Sequence, residues 1–133
     1  MMISTTTWLL VACGGATGAL LRLSLSLYLQ DSIYKSFPVI ILVINIIGCL
    51  VMGCFYSLTQ TVYSDLPESL RLGFSVGFLG SFTTFSAFSL DTIVLFQHGD
   101  YLKALLNIAM SLVLCLMATY IGILLTLKLT TMK

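Results

Sequence analysis

Charge is what this sequence has least of. Its 133 residues include six Lys and Arg, five Asp and Glu and one His, so only 8% are charged and the net charge is +1. Soluble globular proteins carry about 25% of such residues and need them to cover their surface. A water-soluble domain is therefore excluded, and most of the outside must face lipid. The near balance of sign also excludes the basic footprint of a nucleic-acid binder and the acidic excess of a disordered tail. Reactive groups are equally sparse. Cys13, Cys49, Cys54 and Cys115 sit inside apolar stretches at spacings that match no metal or redox pair, and they read as small packing residues. His98 stands at a helix end without a matched nucleophile, which leaves an enzyme without a candidate centre. No basic residue precedes Leu10-Val11-Ala12-Cys13, so this stretch lacks the front of a signal peptide.

What the chain does have is apolar length, with 59% hydrophobic residues and a mean hydropathy of +1.08. Charge-free runs extend over Met1–Leu21, Ser36–Ser64, Leu72–Leu90 and Ala104–Leu127. Each reaches the roughly 20 residues that cross a bilayer core. Polar and turn residues separate them: Gln30, Asp31 and Ser32 before Pro38, then Ser64, Asp65 and Pro67 before Glu68, then His98, Gly99 and Asp100. The fold class is an all-α integral membrane protein. Its four transmembrane helices lie near Thr5–Leu29, Pro38–Tyr63, Glu68–Gln97 and Asp100–Thr130, in one domain spanning residues 1–133. With four spans, Arg71, Lys128 and Lys133 share one side, and Arg22, Lys35 and Lys103 the other. Three against three gives no preferred orientation under the rule that basic residues stay in the cytoplasm. Such a chain can insert both ways up and pair as an antiparallel dimer, or the tie can be an accident of few charges.

Several polar groups lie where hydrocarbon does not tolerate them unpaired, at several kcal/mol each. Arg22 closes a face with Gly14, Gly15 and Gly18; it can guard a path or simply snorkel to the interface. Asn45 sits deep in the second span, followed on its face by Gly48 and Met52, and serves a path or glues helices. Asp91 lies toward the end of the third span and reads as structural. In the fourth span Asn107, Ser111, Cys115 and Thr119 recur every four residues, forming either a track for a polar solute or a set of hydroxyls bonded to their own helix.

The third span interleaves glycines, hydroxyls and phenylalanines from Gly77 to Ser89. Gly77 and Gly80 weaken a helix, the hydroxyls compete for backbone bonds, and Thr83-Thr84 adds two β-branched residues. A break is expected near Gly80 to Thr83. Freed carbonyls there would attract a cation, and the amide end of the next half-helix would favour an anion. Phe74, Phe78, Phe82 and Phe85 form a helical stripe that would ordinarily pack, although ring edges turned into a narrow path can meet an anion without fixed charge.

Three motifs carry a family resemblance that covers nearly the whole chain. They are Gly14-Gly15-Ala16-Thr17-Gly18-Ala19-Leu20-Leu21-Arg22, then Asn45-Ile46-Ile47-Gly48 running on to Gly53, then Gly77-Phe78-Leu79-Gly80 followed by Thr83-Thr84-Phe85-Ser86-Ala87-Phe88. In this order on four spans, the sequence resembles the Fluc family of fluoride channels, also called CrcB. The resemblance implies passive, fluoride-selective efflux through two pores in an inverted homodimer within the cell membrane. It also implies a structural sodium ion at the dimer interface. By position it implies that Asn45 contacts fluoride through its amide, that Phe85 and Phe88 are the pore phenylalanines, and that Ser86, Ser111 and Thr119 fall along a polar track. Gly80 and Thr83 would supply carbonyls to sodium, and Arg22 would stand near the vestibule. The sequence departs from the family at Leu23, where Tyr is frequent, at Ser81-Phe82 in place of Gly-Leu, at Ala87 in place of a hydroxyl, and at Asp91 in place of Glu. The main rival, a proton-coupled exporter of the small four-helix multidrug type, would need a carboxylate deep in the first span, and this span has none. An assembly or scaffold subunit is a further alternative.

Overall fold

The structure is a computed structural model that describes residues 4–30 and 37–131. The first expected turn, with Asp31, Ser32, Lys35 and Ser36, lies outside the described residues, as do Met1 and Lys133. The described residues form helices and no strand. The elements are α1 (Thr5–Gln30), α2 (Val39–Thr61), α3 (Glu68–Leu72) continuing through a π-helical stretch (Gly73–Leu79) into α4 (Gly80–Phe82), then α5 (Phe85–Gln97) and α6 (Tyr101–Thr131). Four helical stretches are long and apolar enough to cross a membrane, Thr5–Leu29, Val39–Thr61, Glu68–Gln97 and Tyr101–Thr131. The shortest has 23 residues, about 35 Å at 1.5 Å per residue, against roughly 30 Å of hydrocarbon.

Local chemistry sets the ends. Pro38 and Pro67 stand immediately before α2 and α3, where a missing N–H costs nothing, and Glu68 puts an acid in the first turn of α3. Between α5 and α6 the chain turns at Gly99, whose φ of +78° favours glycine. Lys103 and Asp100 then pair at 3.0 Å across the start of α6.

The helices associate in two closely packed pairs. In the first, α1 lies against the third span: a Cβ added at Gly14 would come within 2.9 Å of the Phe78 nitrogen, and one at Gly18 would strike the Phe78 carbonyl. In the second, α2 lies against α6: a Cβ at Gly53 would meet the Thr119 backbone, and one at Gly122 would meet the backbone of Leu50 and Cys54. Small residues are what let backbones come this close in a membrane, where lipid removes the hydrophobic drive between helices. The distribution of side chains is correspondingly inverted. Leu20, Leu105, Leu116 and Leu129 are exposed, whereas Thr7, Ser57, Thr59, Thr84, Thr92, Asn107 and Thr126 are buried. Three of these buried hydroxyls, on Thr59, Thr92 and Thr126, donate to carbonyls of their own helix, as Thr126 does to Gly122 at 3.0 Å.

The aromatic stripe divides. Phe55, Phe74, Phe78 and Phe82 make a continuous ladder with successive centroids 4.6, 5.5 and 6.2 Å apart, and Phe82 is buried. Phe85 leaves that ladder and packs on Phe88 at 5.3 Å. The backbone explains the division: Thr83 (φ −80°, ψ 155°) and Thr84 (φ −149°, ψ 116°) are extended, which turns Phe85 off the helical stripe. Gly80, Ser81 and Phe82 remain helical.

Gly18→Ala should lower stability by about 1–3 kcal/mol, the usual cost of overpacking, because its Cβ meets backbone rather than a movable side chain. Thermal unfolding in detergent measures this. Ala16→Leu, at an exposed position of the same helix, should change it by no more than about 0.5 kcal/mol.

Candidate functional site

The site is organised by a pair of hydrogen bonds between α2 and the extended residues. Asn45 Nδ2 donates to the Thr84 carbonyl at 3.1 Å, and the Thr84 N–H donates to Asn45 Oδ1 at 2.8 Å. The Asn45 amide thus satisfies both backbone groups of Thr84, a buried residue. Its geometry fixes the amide orientation, since only this assignment pairs a donor with each acceptor. One Nδ2 hydrogen is spent; the amide carries a second.

Thr84 also caps α5: its Oγ1 accepts from the Ala87 N–H at 3.1 Å, and it shares a 3.1 Å hydrogen bond with the Ser86 hydroxyl. These two diversions free specific carbonyls from their helical donors. In an unbroken helix the Thr84 N–H would go to Gly80 and the Ala87 N–H to Thr83. Here the first goes to Asn45 and the second to the Thr84 side chain.

Beside this junction lies an open cleft of about 490 Å³, between α2, the extended pair, α5 and α6. It is lined on one side by Asn45 and Cys49, on another by Thr83, Thr84, Phe85 and Phe88, and on α6 by Ser111 and Cys115 among aliphatic residues. Its walls are overwhelmingly apolar, and among the described residues no carboxylate or cationic side chain lines it. Phe85 is 77% exposed, beside the polar groups of the cleft.

The structure gathers some of the sequence-derived residues and separates others. Asn45, Thr83, Phe85, Phe88 and Ser111 line the cleft. Ser86 is exposed and touches the site through Thr84. Thr119 lies one turn beyond Cys115, its hydroxyl donates to the Cys115 carbonyl at 3.1 Å, and its backbone abuts Gly53. Gly80 is exposed and outside the cleft lining, and Arg22 lies on α1, also outside it. Asn107, the first residue of the four-residue polar repeat, is buried and donates to Thr92 Oγ1 at 2.9 Å, so it ties α6 to α5. The repeat therefore splits: its ends make structural contacts while Ser111 and Cys115 face the cleft.

Thr84 was not singled out from the sequence. Its cap spacing to Ala87 is a recognisable local signal, but its partnership with Asn45 spans 39 positions and leaves no trace in a single chain. Thr84→Ala should cost about 1 kcal/mol through loss of the cap, and Thr84→Ser should restore most of it, as read from thermal midpoints in detergent.

Comparison with known proteins agrees on one family. A family model described as CrcB-like protein, Camphor Resistance (CrcB), matches residues 9–123. A protein of Shewanella sp. (strain W3-18-1) called fluoride-specific ion channel FluC is 45% identical over 114 residues, covering 86% of this chain and 90% of its own length. Proteins of the same name from Shewanella putrefaciens and Shewanella oneidensis are 45% and 42% identical over equal lengths.

Proposed function

The chain belongs to the CrcB family, and from that membership and the geometry of the cleft we propose a fluoride-selective channel that lets the anion leave the cell passively. It is a multi-pass membrane protein and not an enzyme. The observation that carries the reading is the Asn45–Thr84 clasp at the cleft wall. It holds a neutral amide rigidly at membrane depth with one N–H uncommitted, and a small, strongly hydrated anion needs such a donor when it sheds water.

Neutral donors suit conduction better than a fixed cation would, because binding must be favourable enough to admit the ion and loose enough to release it. Asn45 and Ser111 present uncharged polar groups to the cleft. The edges of Phe85 and Phe88 add a weak positive potential, and the first N–H groups of α5 add theirs at its capped end. A larger halide gains less from closely spaced donors and fits poorly between rings. Ser86 and Thr119 would extend the polar track beyond the cleft, and Arg22 would stand at a vestibule. An inside-negative potential then drives fluoride outward by about 2.3 kcal/mol per 100 mV.

The reading includes an inverted homodimer with two pores. Balanced basic residues and the exposure of Phe85 support it, since a ring 77% exposed beside a polar cleft is covered well by a second copy. Discontinuous backbone in the third span would then serve a sodium ion. The donor set fits: the carbonyls of Gly80 and Thr83 are neutral oxygens whose helical donors are engaged elsewhere. Two per chain would make four about a two-fold axis. Sodium would supply charge that ties the paired third spans together.

Asn45→Asp should abolish fluoride efflux from loaded proteoliposomes while leaving the dimer's elution position unchanged. The carboxylate replaces donors by acceptors and repels the anion. A fluoride electrode reads the release, with chloride as control; unaltered efflux would remove Asn45 from the path. Three Lys added at the C-terminus should bias insertion to one orientation and reduce fluoride resistance unless an oppositely biased copy is supplied. Full resistance from the biased chain alone would contradict the inverted dimer.

A further inference from the structure

Two thiols line the same cleft, Cys49 on α2 and Cys115 on α6. The helix register sets them at one level. Gly53 lies against Thr119, and stepping back one turn along each of these co-directional helices reaches Cys49 and Cys115, and a further turn reaches Asn45 and Ser111. The two sulfurs thus stand one turn from the Asn45 amide, between it and the tightest contact of the pair. Cys54 and Cys13 are absent from the cleft lining.

We infer that Cys49 and Cys115 form a two-thiol site that captures a soft, two-coordinate metal cation, and that a captured cation plugs the cleft. Thiolate sulfur is the ligand class such ions select, and a two-coordinate ion needs no third donor, which fits a wall whose other polar atoms are an amide and hydroxyls. Capture proceeds without electron transfer: two S–H bonds release two protons, two metal–sulfur bonds form, and the metal gives up two former ligands, two chlorides in the case of mercuric chloride. The thiols are reached from the cleft itself, so a neutral metal complex can approach through the apolar mouth. The bis-thiolate complex of a divalent ion is neutral, so the captured metal acts by filling the cleft beside the Asn45 amide. The plugging half of this inference rests on the proposed channel; the capture half does not.

The test uses full-length protein carrying Cys13→Ser and Cys54→Ser, with mercuric chloride as the probe. One equivalent should consume both remaining thiols in a thiol titration, retain one mercury per chain in native mass spectrometry, and block fluoride release from proteoliposomes until a dithiol chelator is added. Introducing Cys49→Ser or Cys115→Ser should raise the mercury concentration for half-block roughly 100-fold relative to the same variant's untreated rate, because two ligands held together act at high effective concentration. Consumption of only one thiol per mercury, or capture unaffected by either substitution, would overturn the two-thiol site. Stoichiometric capture with undiminished fluoride release would overturn the plug alone. If untreated protein releases no fluoride, the channel reading fails, and the thiol and mass measurements still decide capture. Elution position on size exclusion confirms that each variant remains folded.

Discussion

A buried peptide unit in hydrocarbon must find hydrogen-bond partners, and the structure meets that demand for Thr84 with one side chain on another helix. The penalty for leaving either group unpaired is several kcal/mol. Asn45 removes it by answering a donor and an acceptor together. Because this answer comes from α2 and not from the third span's own helical ladder, Thr83 and Thr84 can adopt extended dihedrals. The rest of the site follows: α5 acquires an N-terminus and a cap, two carbonyls lose their helical donors, and Phe85 swings off the aromatic ladder to meet Phe88.

The clasp also joins the two glycine-packed pairs. On one side α1 and the π-helical stretch are held by Gly14, Gly18 and Gly77; on the other α2 and α6 are held by Gly53 and Gly122. Phe82 and Thr83 approach Gly48 where these halves meet, so Gly48 has the same spacing role at the junction. The interior of each half is thereby filled with backbone, which explains how a chain with few large buried side chains is held together.

Much of this was legible in the residues. Span number and limits follow from hydropathy and from turn residues, because lipid imposes a length and forbids unpaired backbone. The glycine spacing of α1 and the depth of Asn45 were readable for the same reason. What could not be read depends on which faces meet. Asn107 and Ser111 look equivalent on a helical wheel, yet one is buried against Thr92 and the other lines the cleft. Cys49 and Cys115 look like isolated packing residues until the register of α2 on α6 brings them to one cleft. Phe85 belongs to the stripe only if helical periodicity continues through Thr83 and Thr84, and their extended dihedrals end it.

The spacing of α2 from α6 is fixed by two hydrogen atoms, those that Gly53 and Gly122 carry in place of side chains. One wall of the cleft belongs to each of these helices. Its width is therefore set from one to three turns away, by positions outside its lining, and width and lining chemistry can be altered independently.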